Sequence, residues 1–266
     1  KIMRFDQVMD QFTVEQTDES EILVPEHWGQ GRAVFGGMAA ALAIQHIVGL
    51  VSDQVPLRSV SVSFVAPLNA GAATVRRRVL RRGSSVVQMH AEILQQDQTM
   101  LVMLASFGSA RSSAFLLEGE TAPQWPEEPV FVLPKQGPAP EFTTHFDYRI
   151  RRGGLPFSHS CQRTLGGEIR FAENVATKVT YASLLALIDA WPPVSLTLLS
   201  SPAPASTLTW TVEFIEEVSS FQTSDWWSYL ANIEYAAHGY HHIEAKLWRP
   251  DGKLAAISRQ TVTVFA

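Results

Sequence analysis

Apolar and polar positions along the chain follow two different periods. The stretch from Ala33 to Ser52 holds no Asp, Glu, Lys or Arg, and its small apolar residues from Phe35 to Val48 predict a helix buried on every side. A second charge-poor run predicts a helix over Thr180–Trp191, ended by Pro192-Pro193. After each helix the period falls to two. Ser59-Val60-Ser61-Val62-Ser63-Phe64 and Thr207-Leu208-Thr209-Trp210-Thr211-Val212-Glu213-Phe214 both read as strands. Three strand-like runs then close each half, over 73–80, 85–95 and 99–107 and over 226–236, 240–248 and 253–265. Gln96-Asp97-Gln98 and Pro250-Asp251-Gly252 fall at matching hairpin turns. Setting those turns opposite one another aligns the halves as an internal duplication. Each copy predicts one helix laid across an antiparallel sheet, an α+β arrangement.

Residues 119–158 carry seven of the 15 prolines (123, 126, 129, 134, 138, 140 and 156) together with Gly137, Gly153 and Gly154. That density opposes helix interiors and central strands. The expected organisation is therefore a repeat over 1–118, a connector over 119–158 and a second repeat over 159–266. Charged residues make up only 18% of the 266 and the net charge is −5, which leaves no basic footprint for nucleic acid. Cys161 is the one cysteine, which excludes an intrachain disulfide framework or a multi-cysteine metal site and fits a cytoplasmic location. Lys1–Asp6 carries no apolar leader segment. The Ala33–Ser52 run has the length of a membrane span but contains Gln45, His46 and three glycines, so it is read as a core helix.

Against this background one charge stands out. Between Lys178 and Glu213, Asp189 is the only Asp, Glu, Lys or Arg, and it sits among Leu184, Leu185, Leu187, Ile188 and Trp191. A carboxylate in that company is costly unless it is hydrogen-bonded or used, and burial raises its pKa towards the range of a general base. The plainer reading is a residue capping the end of its helix, although Asp is unfavourable at the negative end of a helix dipole. Gln260 is a second anomaly, an amide sharing the apolar face of Leu254, Ala256, Val262 and Val264. It needs partners, either backbone groups or a water or substrate oxygen. Simple alternation puts Thr207, Thr209 and Thr211 on one face, which by itself is only a solvated β-branched row.

The first half further reads Gly31-Arg32-Ala33-Val34-Phe35-Gly36-Gly37, Leu57-Arg58-Ser59, Phe64-Val65-Ala66-Pro67, Arg82-Gly83-Ser84-Ser85 and Ala105-Ser106-Phe107. The second half has Asp189-Ala190-Trp191-Pro192-Pro193, the 207–214 strand and Gln260 after Gly252. In this order and spacing the set resembles the bacterial acyl-CoA thioesterase II family and the wider thioesterase-like double hotdog proteins. The resemblance covers about residues 12–110 and 165–266. It implies a double hotdog fold, acyl-CoA as substrate, no metal or redox cofactor, and assembly as a homodimer or homotetramer. Carried over residue by residue, the family's catalytic Asp, Thr and Gln fall on Asp189, Thr207 and Gln260, with Thr209 the neighbouring alternative. The family's His-rich stretch after its Thr is replaced here by Thr209-Trp210-Thr211-Val212-Glu213, which implies a different pocket.

The chemistry implied is attack on a thioester carbonyl by a water that Asp189 deprotonates and Thr207 and Gln260 orient. Backbone N–H groups of Gly36 and Gly37, at the start of the first helix, are the expected substrate-binding donors for the oxyanion. The first helix has no carboxylate, so one site per chain is expected, built between the halves. Arg76, Arg77, Arg78, Arg81 and Arg82 are a candidate phosphate-binding cluster, or else a solvated strand edge. His238, His241, His242 and Glu244 resemble metal ligands, but His241 and His242 point to opposite faces of a strand. Two rivals remain: a non-catalytic module that binds acyl-CoA or acyl chains, and a hydratase or dehydratase, which needs a histidine paired with the Asp.

Overall fold

The computed structural model describes residues 2–12, 17–52, 54–133, 135, 137, 139–172, 176–215 and 217–266. Lys1, Pro134 and Pro138 lie outside the described residues. In chain order the elements of the first half are α1 (Phe5–Met9), β1 (Glu19–Val24), β2 (Gly29–Gln30), β3 (Ala33–Val34), α2 (Gly36–Val48), β4 (Leu57–Phe64), β5 (Gly71–Arg82), β6 (Val86–Gln95) and β7 (Gln98–Gly108). The second half begins with a 3-10 turn (Glu141–His145). It continues with β8 (Phe146–Arg152), β9 (Thr164–Phe171), α3 (Tyr181–Asp189), α4 (Val194–Leu198), β10 (Ala205–Phe214), β11 (Trp227–Ala237), β12 (Tyr240–Trp248) and β13 (Leu254–Val264).

Eleven strands form one sheet in the order β1-β5-β6-β7-β4-β10-β13-β12-β11-β9-β8. The order reads outwards from its centre the same way in both directions, with β4-β7-β6-β5 mirrored by β10-β13-β12-β11. The halves join where β4 and β10 pair antiparallel, Ser63 opposite Thr209 and Ser59 opposite Glu213. Val60, Val62, Trp210 and Val212 at this seam are buried, while the facing-away positions Ser61, Ser63 and Thr209 are exposed. The period of two in both central strands therefore separates the helix-covered face from the open one.

Helices α2 and α3 lie side by side on the covered face. From Met38 to Ile44 every residue of α2 is buried, as a helix enclosed by a sheet below and a second helix beside it requires. The helices approach so closely that a Cβ on Gly37 would stand 3.1 Å from the Ala186 backbone and 2.6 Å from the Phe35 ring. Glycine here is a condition of packing. Thr180 starts α3 by accepting the Ser183 N–H at 3.2 Å while the Ser183 hydroxyl accepts the Thr180 N–H at 2.7 Å, a reciprocal cap. Among the described residues, Tyr181–Leu198 is the one helical stretch long and apolar enough to cross a membrane. It is 67% buried and is broken at Trp191-Pro192-Pro193 into α3 and α4.

Besides the two-residue strands β2 and β3, three strands of the large sheet escape the sequence pattern. β8 lies inside the stretch expected to be a bare connector, because its alternation of Phe146, Tyr148 and Ile150 inward with Asp147, Arg149 and Arg151 outward is only seven residues long and hemmed in by prolines. β9 is interrupted by Gly166-Gly167, and β1 is a short edge strand rich in charge.

Candidate active site

Asp189 is the last residue of α3, partly open to solvent. Its Oδ2 accepts the backbone N–H of Gly37 at 2.6 Å, and its Oδ1 accepts Gln260 Nε2 at 2.8 Å. One carboxylate thus ties the end of α3, the start of α2 and the last strand. The reason lies in the helix ends. The residue preceding α2 is Phe35, whose side chain accepts nothing, so the free N–H groups of that first turn need an acceptor from elsewhere. Asp189 supplies it at the second helical position, the geometry of an N-cap carried across space. A charge unfavourable at the end of its own helix is favourable at the start of the neighbour's.

Burial pushes the Asp189 carboxyl from 3.8 up to about 7, opposed in part by the hydrogen bonds from Gln260 and Gly37, which favour the charged form. Aromatic side chains wall in its far side. Trp191 stacks on Tyr229 with centroids 4.7 Å apart and meets Tyr148 edge-on at 5.8 Å. The Tyr148 hydroxyl donates to the carbonyl of Ala190 at 2.8 Å, pinning the backbone next to Asp189. Burial first, then the nearby charge of Asp189, raises the pKa of both tyrosines, so both stay protonated. On the opposite side the Phe64 ring lies against Gly36, within 3.1 Å of where a Cβ would stand. Tyr148 escaped the sequence reading because it lies on β8. Tyr229 and Phe64 look like ordinary core alternation, and only their placement around Asp189 sets them apart.

Thr207 reaches the covered face by an irregularity. Its partner on β13 is Val262, that of Thr209 is Thr261, and that of Trp210 is Gln260, with a register shift between Thr207 and Thr209. Directly paired residues share a face. Thr207 therefore lies on the covered face with Gln260, Val262 and Trp210, whereas Thr209 lies on the open face with Thr261. Simple alternation had put Thr207, Thr209 and Thr211 together. The β-bulge overturns that reading, because one extra residue inverts the phase of everything before it. No hydrogen bond among the described residues joins Thr207 to Asp189 or Gln260, and register sets Thr207 diagonal to Gln260, a separation of about 7–8 Å.

The two glycines expected to present free donors differ. Gly37 N–H is taken by Asp189, while among the described residues Gly36 N–H has no acceptor. The arginine cluster does not reach this region. β5 is four strand steps from β10, about 19 Å, and three of its five arginines serve the fold: Arg76 pairs with Glu19 at 2.7 Å, Arg77 donates to the carbonyl of His46 at 2.6 Å at the end of α2, and Arg82 bonds the carbonyl of Leu50. No histidine bonds Asp189 among the described residues. His242 bonds Thr261 instead, and no cluster of three or more His, Cys, Asp or Glu able to hold a metal occurs among the described residues.

Comparison with known proteins identifies the family and the fold. Residues 118–264 match the acyl-CoA thioesterase C-terminal domain and residues 24–108 match the acyl-CoA thioesterase N-terminal domain. The chain belongs to the acyl-CoA thioesterase family. No curated protein sequence matches it. Among solved structures, a conserved protein of unknown function with a hot dog fold from Alicyclobacillus acidocaldarius is similar at TM-score 0.82 and 22% identity, covering 94% of each chain. An acyl-CoA thioesterase II from Mycobacterium marinum is similar at TM-score 0.73 and 16% identity, covering 94% of this chain and 93% of that one. These likenesses show the fold, a double hotdog.

Proposed function

We propose that this family member hydrolyses acyl-CoA to the free acid and coenzyme A, with Asp189 as general base. The observation that carries the reading is the Asp189 carboxylate itself, held by Gly37 of one half and Gln260 of the other and pushed up to about 7. A base with that pKa is ionised in useful amount at neutral pH and still binds a proton well enough to take one from water. Gln260 donates to Asp189 through Nε2, which leaves its Oε1 to accept a hydrogen from the attacking water, and Thr207 offers a hydroxyl on the same face. The water attacks the thioester carbonyl and its proton passes to Asp189. The oxyanion is met by Gly36 N–H, the unclaimed donor of the α2 first turn, and the thiolate of coenzyme A leaves. We place this chemistry in the cytoplasm, in keeping with the exposed free Cys161, and in a homodimer or homotetramer, which light scattering measures.

One observation favours the binding-module rival. Asp189 caps α2, so its conservative role as a structural clamp accounts for the same two hydrogen bonds. Asp189→Asn separates the readings, because Asn also caps helices but takes no proton. Thiol release from a panel of acyl-CoA substrates is expected to fall about 100-fold or more in a folded variant. Unchanged turnover removes Asp189 from the mechanism, and a wild type inactive on the whole panel favours the binding module.

A further inference from the structure

Of the arginines that the sequence singled out for phosphate, 76, 77 and 82 are occupied elsewhere, and 78 and 81 lie with them on β5, four strand steps from β10; a different exposed arginine lies nearer the candidate site. Arg32 forms the tip of the β2–β3 hairpin with Gly31, whose φ of +69° closes the turn. Its side chain is exposed, and among the described residues it makes neither an ion pair nor a hydrogen bond. Arginines 4, 76, 149, 151, 170, 249 and 259 are ion-paired; Arg78, Arg81 and Arg111 are, like Arg32, exposed with neither contact among the described residues, so it is position that sets Arg32 apart.

The hairpin is fixed beside the candidate active site. Phe35 N–H donates to the Trp28 carbonyl at 3.0 Å and Val34 N–H to the Leu68 carbonyl at 2.8 Å. The first bond anchors the hairpin where it runs into α2. The second joins it to the loop that leaves β4, at the end of the sheet where Ser63 pairs with Thr209. From Arg32 four residues lead to Gly36, at most about 13 Å of chain. Gly36 itself lies against Asp189, so a cation on the exposed hairpin tip within that reach stands on the solvent side of the site, where the outer end of a coenzyme A arm would lie with its thioester at Asp189. Glu141, whose Oε2 lies 3.9 Å from where a Cβ on Gly29 would stand, is already bonded to His27 at 2.7 Å.

Resting on the thioesterase reading, we infer that Arg32 recognises the phosphates at the far end of the coenzyme A arm and so selects the carrier of the acyl group. The guanidinium is suited to this because it forks onto phosphate oxygens and never loses its charge.

The test compares wild type, Arg32→Ala and Arg32→Lys on three thioesters of one acyl group: acyl-CoA, acyl-phosphopantetheine and acyl-pantetheine. Calorimetric binding of free coenzyme A is measured alongside. In Arg32→Ala, KM for acyl-CoA is expected to rise about tenfold with kcat held within about twofold, as for loss of a charge-assisted hydrogen bond. Arg32→Lys should recover part of the loss, and acyl-pantetheine, which has no phosphate, should not respond. A rise of KM on acyl-phosphopantetheine as well places the contact at the phosphate next to the arm; a rise on acyl-CoA alone places it at the remaining phosphates. Equal KM values in wild type and Arg32→Ala overturn the inference, as does an equal rise on all three substrates. Failure of the thioesterase reading is distinguishable: a wild type that cleaves none of the three but binds coenzyme A about tenfold more tightly than Arg32→Ala leaves Arg32 as the phosphate contact, while equal binding removes it.

Discussion

Asp189→Asn should stabilise the fold at alkaline pH while removing activity, and the size of the effect follows from the Asp189 environment. The carboxyl titrates at 3.8 when unperturbed and at about 7 in the folded protein, chiefly through burial. Between about pH 4 and about pH 7 the folded chain keeps a proton that the unfolded chain has released, so raising the pH across that window lowers the stability. Above about 7 both states are ionised and the full penalty is present. A rise of about three units at about 1.36 kcal/mol each is about 4 kcal/mol. Screening at the partly exposed edge of the carboxylate trims it to about 2–4 kcal/mol. Asn preserves the architecture, because its Oδ1 can still accept from Gly37 and the Gln260 amide can turn to accept from its Nδ2. The assay is urea unfolding of both proteins at about pH 4.5 and about pH 8.5. The difference in unfolding free energy should change by about 2–4 kcal/mol in favour of the variant between those conditions. His46 titrates in both proteins and cancels. A difference that does not move with pH, or that favours the wild type at alkaline pH, would refute the assignment of a buried, high-pKa carboxylate at Asp189.

Other outcomes follow from the same coordinates. If Asp189 acts as base, kcat/KM rises with pH through about 7 and then levels; Gln260→Leu removes a hydrogen bond that favours the carboxylate, so the acid limb should move to higher pH as the rate falls about tenfold or more. Thr207→Val should lower kcat while Thr209→Val on the open face leaves it nearly unchanged, and the reverse order of effects would mean that the bulge does not set the site threonine. Gly37→Ala brings a Cβ to 2.6 Å from the Phe35 ring and 3.0 Å from the Asp189 Cβ, and thermal unfolding should show a loss of about 1–3 kcal/mol. His46 is fully buried, and burial first, then Arg77, pushes its pKa down to about 4 against the raising effect of the Asp18 backbone. The folded protein therefore loses stability as the pH falls from 6.5 towards about 4, and His46→Leu should flatten that loss in urea midpoints taken across the range.

Much of this molecule is legible in one dimension. Two charge-poor runs of small apolar residues read as helices enclosed by other elements, and two sets of alternating strands with matched turns read as a repeated helix-on-sheet unit, because period and burial are local consequences of backbone geometry. Asp189 and Gln260 are conspicuous for the same reason, each being a polar group on an otherwise apolar face. The identity of their partners is another matter. That Asp189 completes the first turn of α2 depends on how two helices 152 residues apart in hydrogen-bonded sequence cross over small residues. That Thr207 and not Thr209 faces Gln260 depends on one extra residue in a strand pairing. That Arg77 is consumed by the end of α2 while Arg32 has no partner among the described residues depends on where β5 and the β2–β3 hairpin lie. Periodicity and lone charges are properties of the chain and were set by the sequence alone. Which donor meets which acceptor was decided only by the tertiary structure, because hydrogen bonds form between groups brought together in space.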